Sequence, residues 1–205
     1  MKKEQEYRSL GEIETISKKA ARGIGLSWGT SNEFGICARL ICQIGFPGIS
    51  LIRKNLDFVM KKDITEEIHF SNLGIIKGIS IIDEIEIINF PVEFEVFYPV
   101  CLIGILLKLR GYNYEISIHW KNFDFYLDSS GIKKRGSLLD PRSLTRVTVN
   151  IKRANIRCNF KKQNSNLILK KDWNKLNELA SLTYVKSNDY SRLHGAGSVN
   201  DNFNT

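Results

Sequence analysis

Two arginine–glycine segments stand at opposite ends of this 205-residue chain, and their residue types suit the capture of an anion. The first is "KKAARGIGLSWGTSNEFG". Arg22 closes a helical pattern, Gly23 and Gly25 open the backbone, and Trp28-Gly29 leads into the next helix start. Amide N–H groups at a helix N-terminus favour a carboxylate or phosphate, and a guanidinium one turn away adds a bidentate contact. The second is "YVKSNDYSRLHGAGSVNDNFNT". Ser191-Arg192 and Gly195-Ala196-Gly197 combine a hydroxyl, a guanidinium and a backbone able to form an anion nest, while Asp201 and Asn202 add a carboxylate and an amide. Each segment also has a purely structural reading. In the first, the glycines close a helical hairpin, Trp28 fills the core and Arg22 contacts helix carbonyls. In the second, a polar terminus frays.

The elements that must position these segments follow from periodicity. Ser9 and Glu12 form an S-x-x-E capping box ahead of a helix over Leu10 to Arg22, with Ile13, Ile16, Ala20 and Ala21 on its core face and Gly23 at the C′ position. A second helix is expected over Thr30 to Ile44, with Phe34, Cys37, Ala38, Ile41 and Ile44 as its apolar stripe and Gly45 as its end. A shorter third runs through Leu51, Ile52 and Leu56. Beyond residue 80 the texture turns to strands: "DEIEIINF", "VEFEVFY", "VCLIGILLKL", a hairpin of "YNYEISIHW" and "FDFYLD", then "SLTRVTVNIKR" and "NIRCNF". Asp172 is expected to cap a final helix through Trp173, Leu176, Leu179 and Leu182. Helices before strands, without βαβ alternation, predict an α+β fold with a mainly antiparallel sheet. One domain is expected over 1–205, with a helical part at 1–60, the sheet at 80–160, and the last helix and motif tail at 172–205.

Composition narrows the function classes. The net charge of +8 is spread along the chain without an aromatic–basic reading pattern, so a solvated surface or an anionic small ligand is expected and specific nucleic-acid binding is not. The longest apolar run, "VCLIGILLKL", is half the length of a membrane helix, and "MKKEQEYRSLGEIE" has no apolar stretch behind its basic start, so a cytoplasmic protein is expected. Cys37, Cys42, Cys101 and Cys158 lack C-x-x-C spacing, and His69, His119 and His194 lack ligand spacing, so no metal site is read. No Gly-x-Ser-x-Gly elbow or Walker loop names a reaction, and the sequence names no cofactor.

The blocks "SLGEIETISKKAARGIGLSWGTSNEFG…ARLICQIGFPG" and "LTYVKSNDYSRLHGAGSVNDN" resemble a proteobacterial family of uncharacterised conserved-domain proteins. Lys186 and Phe203 depart from its pattern, which has a proline and an aspartate there. The resemblance brings no activity, but it implies that Lys19, Arg22, Gly23, Gly25, Trp28, Gly29, Glu33 and Arg39 belong with Ser191, Arg192, Gly195, Ala196, Gly197, Asp201 and Asn202. The expected function is binding or transformation of a small anionic metabolite, an organic acid or amino-acid derivative, between the two terminal motifs. Arg22 and Arg192 would hold it, with Glu33 or Asp201 as general base and Ser191 or His194 as proton partner. The alternative is a non-catalytic accessory protein whose tail docks on a second copy or a partner subunit. On the first reading Tyr184 to Asn202 is ordered against Arg22–Trp28, with a negative group between the two guanidiniums.

Overall fold

The computed structural model describes residues 4–61, 70–121, 123–136, 143–154 and 165–184. The expected strand "NIRCNF", along with His69, Cys158 and every tail position from Ser191 to Asn202, lies outside the described residues. Among the described residues the fold is α+β, and all ladders between its strands are antiparallel. Strand β1 (Gln5–Ser9) leads into α1 (Leu10–Gly23), α2 (Trp28–Gln43) and α3 (Gly48–Lys61); α4 (Gly74–Asp83) follows. Then come β2 (Val92–Val96), α5 (Pro99–Leu106) and a 3-10 turn over Leu107–Gly111. Strands β3 (Tyr114–Trp120), β4 (Phe123–Asp128), β5 (Gly131–Gly136), β6 (Thr145–Arg153) and β7 (Ser165–Leu169) precede α6 (Lys170–Ser181).

The capping box at the start of α1 forms in both directions. Ser9 Oγ accepts from the Glu12 amide at 3.2 Å, and Glu12 accepts from the Ser9 amide at 2.8 Å. Ile13, Ile16, Ala20 and Ala21 are buried as their spacing implies. Helix α2 starts earlier than its apolar stripe suggests, because Ser27 supplies the N-cap by accepting from the Thr30 amide. Gly45 ends that region at φ +81°, a conformation glycine adopts without strain. The hairpin β3–β4 is also as expected: Trp120 faces Phe123 across the ladder, with Lys121 at φ +44° opening the turn.

Several expectations are corrected. The run "VCLIGILLKL" is not a strand but helix α5 and the turn after it, and every residue of α5 is buried. A short run that is apolar on all sides reads alike in a buried strand and a buried helix; Pro99 at the helix start and the close packing around Gly104 favour the helix here. The run "DEIEIINF" is the winding exit of α4: the amides of Ile87 and Ile88 both donate to the Glu84 carbonyl, which leaves Ile87 outside and turns Ile85 and Ile88 toward the core. Asp172 does not cap α6, whose N-cap is Leu169. It lies in the first helical turn, buried, where it accepts from Ser50 and pairs with Arg53 Nε at 2.8 Å, tying α6 to α3.

The main sheet has the order β2-β6-β3-β4-β5, and β1 pairs with β7 in a separate two-stranded ribbon. One continuous core runs from α1 to the inner face of the main sheet, where Ile116, Ile118, Trp120, Phe125, Val147 and Val149 are buried. Helix α1 packs between α2 and α6, and α5 between α2 and α4.

Gly23 is a packing residue and not the left-handed end of α1. The helix includes it, and a Cβ there would stand 1.8 Å from the Leu179 carbonyl oxygen of α6. The left-handed position is Gly25, at φ +92° with open space around it. Gly23→Ala is therefore expected to cost about 3 kcal/mol, because helix must move off helix. Gly25→Ala is expected to cost about 1 kcal/mol, the strain of a side chain at positive φ. Urea denaturation of both variants checks the ranking, and equal losses would show that α1 and α6 do not meet this closely.

Candidate functional site

Lys19, Arg22, Gly23, Gly25 and Trp28 come together at the corner where α1 turns into α2. The corner is satisfied from within. The Arg22 guanidinium donates to the Leu26 carbonyl and stacks over the Trp28 ring, 4.4 Å from its centroid. Trp28 itself is 69% exposed, so it does not fill the core. Lys19 lies over the ring of Tyr184 and reaches its hydroxyl at 3.4 Å. The first amides of α2 are also engaged, those of Thr30 and Ser31 with the side chain and carbonyl of Ser27.

Farther along α2, the other two residues of the front block face a different surface. Both carboxylate oxygens of Glu33 accept from Lys108 Nζ, at 2.9 and 2.8 Å, forming an ion pair. Arg39 pairs with Glu14 of α1 at 2.7 Å and also lines an open cleft of about 1040 Å³. The cleft is bounded by α2, the 3-10 turn, the exit of α4 and the adjoining ends of β3 and β6. Its lining carries four cations, Arg39, Lys108, Arg110 and Arg153, and one carboxylate, Glu86.

The two polar clusters of this cleft differ in how their charges are met. At one, Arg110 donates to the side-chain oxygen of Gln43 at 2.8 Å. Burial, and then the charge of Arg39 beside it, push the Arg110 pKa down. At the other, Arg153 donates to both oxygens of Glu86 at 2.6 Å, and Tyr114 donates to the same carboxylate at 2.8 Å. These bonds, that of Arg153 first, hold the Glu86 carboxyl below its ordinary value.

Of the expected site residues, the structure brings Arg39 to this cleft and places Glu33 behind it on Lys108, while Lys19, Arg22, Gly23, Gly25 and Trp28 form the corner. Ser191, Arg192, His194, Gly195, Ala196, Gly197, Asp201 and Asn202 lie outside the described residues. Lys108, Arg110, Arg153, Glu86 and Tyr114 were not singled out in the sequence. A signal existed for two of them: Lys108 and Arg110 are the first charges after a wholly apolar run, which marks where the chain leaves the core. Reading that run as a strand hid it. On the outer face of the main sheet His119 Nδ1 meets Asp124 at 2.8 Å, edge-on to Tyr126. Among the described residues no group of His, Cys, Asp or Glu is disposed to hold a metal ion, and no helix is long and apolar enough to cross a membrane.

The Glu86 pairing has a pH signature. Its folded pKa lies below the ordinary 4.5, so its contribution to stability is complete above that value and is lost as the pH falls through the lowered one. The melting temperatures of the wild type and Glu86→Gln are expected to differ by a constant amount between pH 6 and pH 7 and to converge in acid. The gap should also shrink at high salt, since the pair is exposed. A gap that widens in acid would show that Glu86 is not held as the carboxylate.

No curated protein and no solved structure matches the chain. The sequence does match a family model, over a span that carries α1 to α4, the corner, Arg39 and Glu86, and that stops before Lys108, Arg110 and Arg153. The expected likeness to an uncharacterised conserved-domain family thus holds for the front of the chain: residues 8–90 match the family described as protein of unknown function (DUF3726).

Proposed function

We propose that the protein binds a small anionic metabolite, an organic acid or amino-acid derivative, in the cleft between α2, the 3-10 turn and the ends of β3 and β6. The observation that carries this reading is the lining of an open cavity of about 1040 Å³, a volume at the upper end of small-molecule sites, to which Arg39, Lys108, Arg110 and Arg153 contribute beside one carboxylate, Glu86. A carboxylate bound by such cations accepts charge-assisted hydrogen bonds, each contributing about 1.5–3 kcal/mol. The role is recognition. The cleft presents donors, and its one carboxylate is committed to Arg153 and Tyr114. The front block supplies Arg39, with Glu33 steadying Lys108, so the reading rests on described residues.

A panel of mono-, di- and tricarboxylates and amino acids tests it by thermal shift. At least one acid is expected to give a saturable rise, reaching about 2.7 kcal/mol of stabilisation at a hundredfold excess over Kd. Arg110→Gln should weaken that acid at least tenfold while leaving the unliganded melting temperature within a few degrees. No saturable shift with any acid, or an equal shift in the variant, would refute the reading.

A second reading, an accessory protein that docks a partner or a second copy, draws support from the α1–α2 corner. There Trp28, Leu182 and Tyr184 are all more than 60% exposed. Large exposed apolar groups gathered together mark contact surfaces. Trp28→Ser is expected to abolish concentration-dependent association in sedimentation without changing acid binding; an unchanged sedimentation profile counts against a contact there.

A further inference from the structure

We infer that a second cavity, apart from the cleft, takes a small uncharged carbonyl compound, a ketone, ester or amide, whose oxygen accepts from the side-chain amide of Asn166. The cavity holds about 300 Å³ and lies where the start of α3 meets the β1–β7 ribbon. About 150 Å³ accommodates benzene, so a ring with a short substituent fits. Apolar side chains form much of its wall: Phe46, Ile49 and Ile168, all buried, with Pro47 and Leu169. The lining carries no lysine, arginine or carboxylate among the described residues, and burial pushes the Cys42 thiol up to about 11, which keeps it neutral.

Several polar groups around this cavity are already answered. Ser50 Oγ donates to the Asp172 carboxylate, and the amides of Gly48 and Leu51 donate to the carbonyls of Phe46 and Pro47. Asn166 differs. It lines the cavity from the side of β7 that also carries the buried Ile168 and is only 6% exposed, yet its amide nitrogen meets no partner among the described residues. The residue opposite it in the ladder, Arg8, is a donor turned to Glu6 and the Trp173 ring, so it cannot accept. A buried N–H left unmet costs free energy that an incoming acceptor recovers. Water serves this donor poorly, because a buried water is held by about two to four polar partners and apolar walls supply none. A carbonyl compound needs the single contact and gains from the walls as well. An anion loses its hydration with no cation in the lining to replace it.

Titration of the isotope-labelled full chain with acetophenone, followed by NMR, tests the inference. Benzoate and isopropenylbenzene serve as probes of similar shape that carry a charge or lack the oxygen. Acetophenone is expected to shift the Asn166 side-chain amide and the Ile49 and Ile168 backbone amides saturably, and benzoate to bind there about tenfold more weakly. Asn166→Leu should weaken acetophenone about fivefold, the loss of one hydrogen bond, while isopropenylbenzene binds no less tightly. Benzoate as tight as acetophenone at these resonances overturns the inference. So does a variant in which acetophenone is no weaker, or in which both neutral probes weaken alike. If Asn166→Leu does not fold, the contrast between acetophenone and benzoate in the unmodified protein decides alone. No shift of these resonances with any probe also overturns it. None of the three residues lies in the cleft, so either result leaves the acid reading to its own test.

Discussion

Helix α5 has no face left for water. Pro99 through Leu106 are all buried, so the rest of the chain has to surround them. A helix of eight residues is marginal on its own and persists only through what packs on it. Close approach is made possible by small residues at the crossings. At Gly104 a Cβ would stand 2.7 Å from Cys37 Sγ and from Ile41 of α2, and at Gly78 it would stand 2.8 Å from Ile105 of α5. Some polar groups trapped at this depth find partners: Cys37 Sγ donates to the Cys101 carbonyl, and the Asn55 amide nitrogen donates to the Leu51 carbonyl and Cys101 Sγ, while Asn55 Oδ1 meets no partner among the described residues. The three described cysteines are therefore core residues, and burial pushes the Cys42 thiol up to about 11, far from a reactive thiolate at neutral pH.

The candidate site follows from how the chain leaves this buried helix. The 3-10 turn after Leu106 carries Lys108 and Arg110, charges that cannot remain in the core. They emerge against the face of α2 that holds Glu33, Arg39 and Gln43, and each finds a partner there: Lys108 meets Glu33, and Arg110 meets Gln43. Isolated surface pairs contribute little to stability. Here their effect is orientation: Glu14 holds Arg39 and Gln43 holds Arg110, both on the lining of the cleft. Sequence neighbours do not create this pairing. Gln43 and Arg110 lie 67 positions apart and meet because α2 covers α5.

Local rules made the front and the hairpin legible. The capping box of α1, the apolar stripe of α2 and the alternation of β3 and β4 each depend on neighbours a few residues away, and each stands in the structure as read. Several of the failures share one cause, a residue answering to a distant partner. Gly23 looks like a helix terminus but makes room for the Leu179 carbonyl, and Asp172 looks like a cap but serves Arg53 and Ser50. Strand β1 was invisible because it depends on β7, which pairs with it from about 160 residues away, Tyr7 opposite Leu167. The cationic cleft was only half legible. Arg39 lay in a quoted block, but its companions Arg110 and Arg153 gain meaning only from the crossing of α2 with the 3-10 turn and from the shared end of β3 and β6.

The β1–β7 ribbon and the Arg53–Asp172 pair together position the first and last described elements. The ribbon pairs the strand that enters α1 with the strand that enters α6, Ser9 opposite Ser165 and Gln5 opposite Leu169, and the ion pair holds α6 on α3. Helix α6 then runs back along α1 until Tyr184 lies over Lys19. Tyr184, the last described residue, thus stands near the corner that holds Arg22 and Trp28. The corner's own arginine is turned to Leu26 and Trp28, whereas Arg39, paired with Glu14, and Arg110, bonded to Gln43, line the cleft across α2, so the fold sets its cations on two separate surfaces.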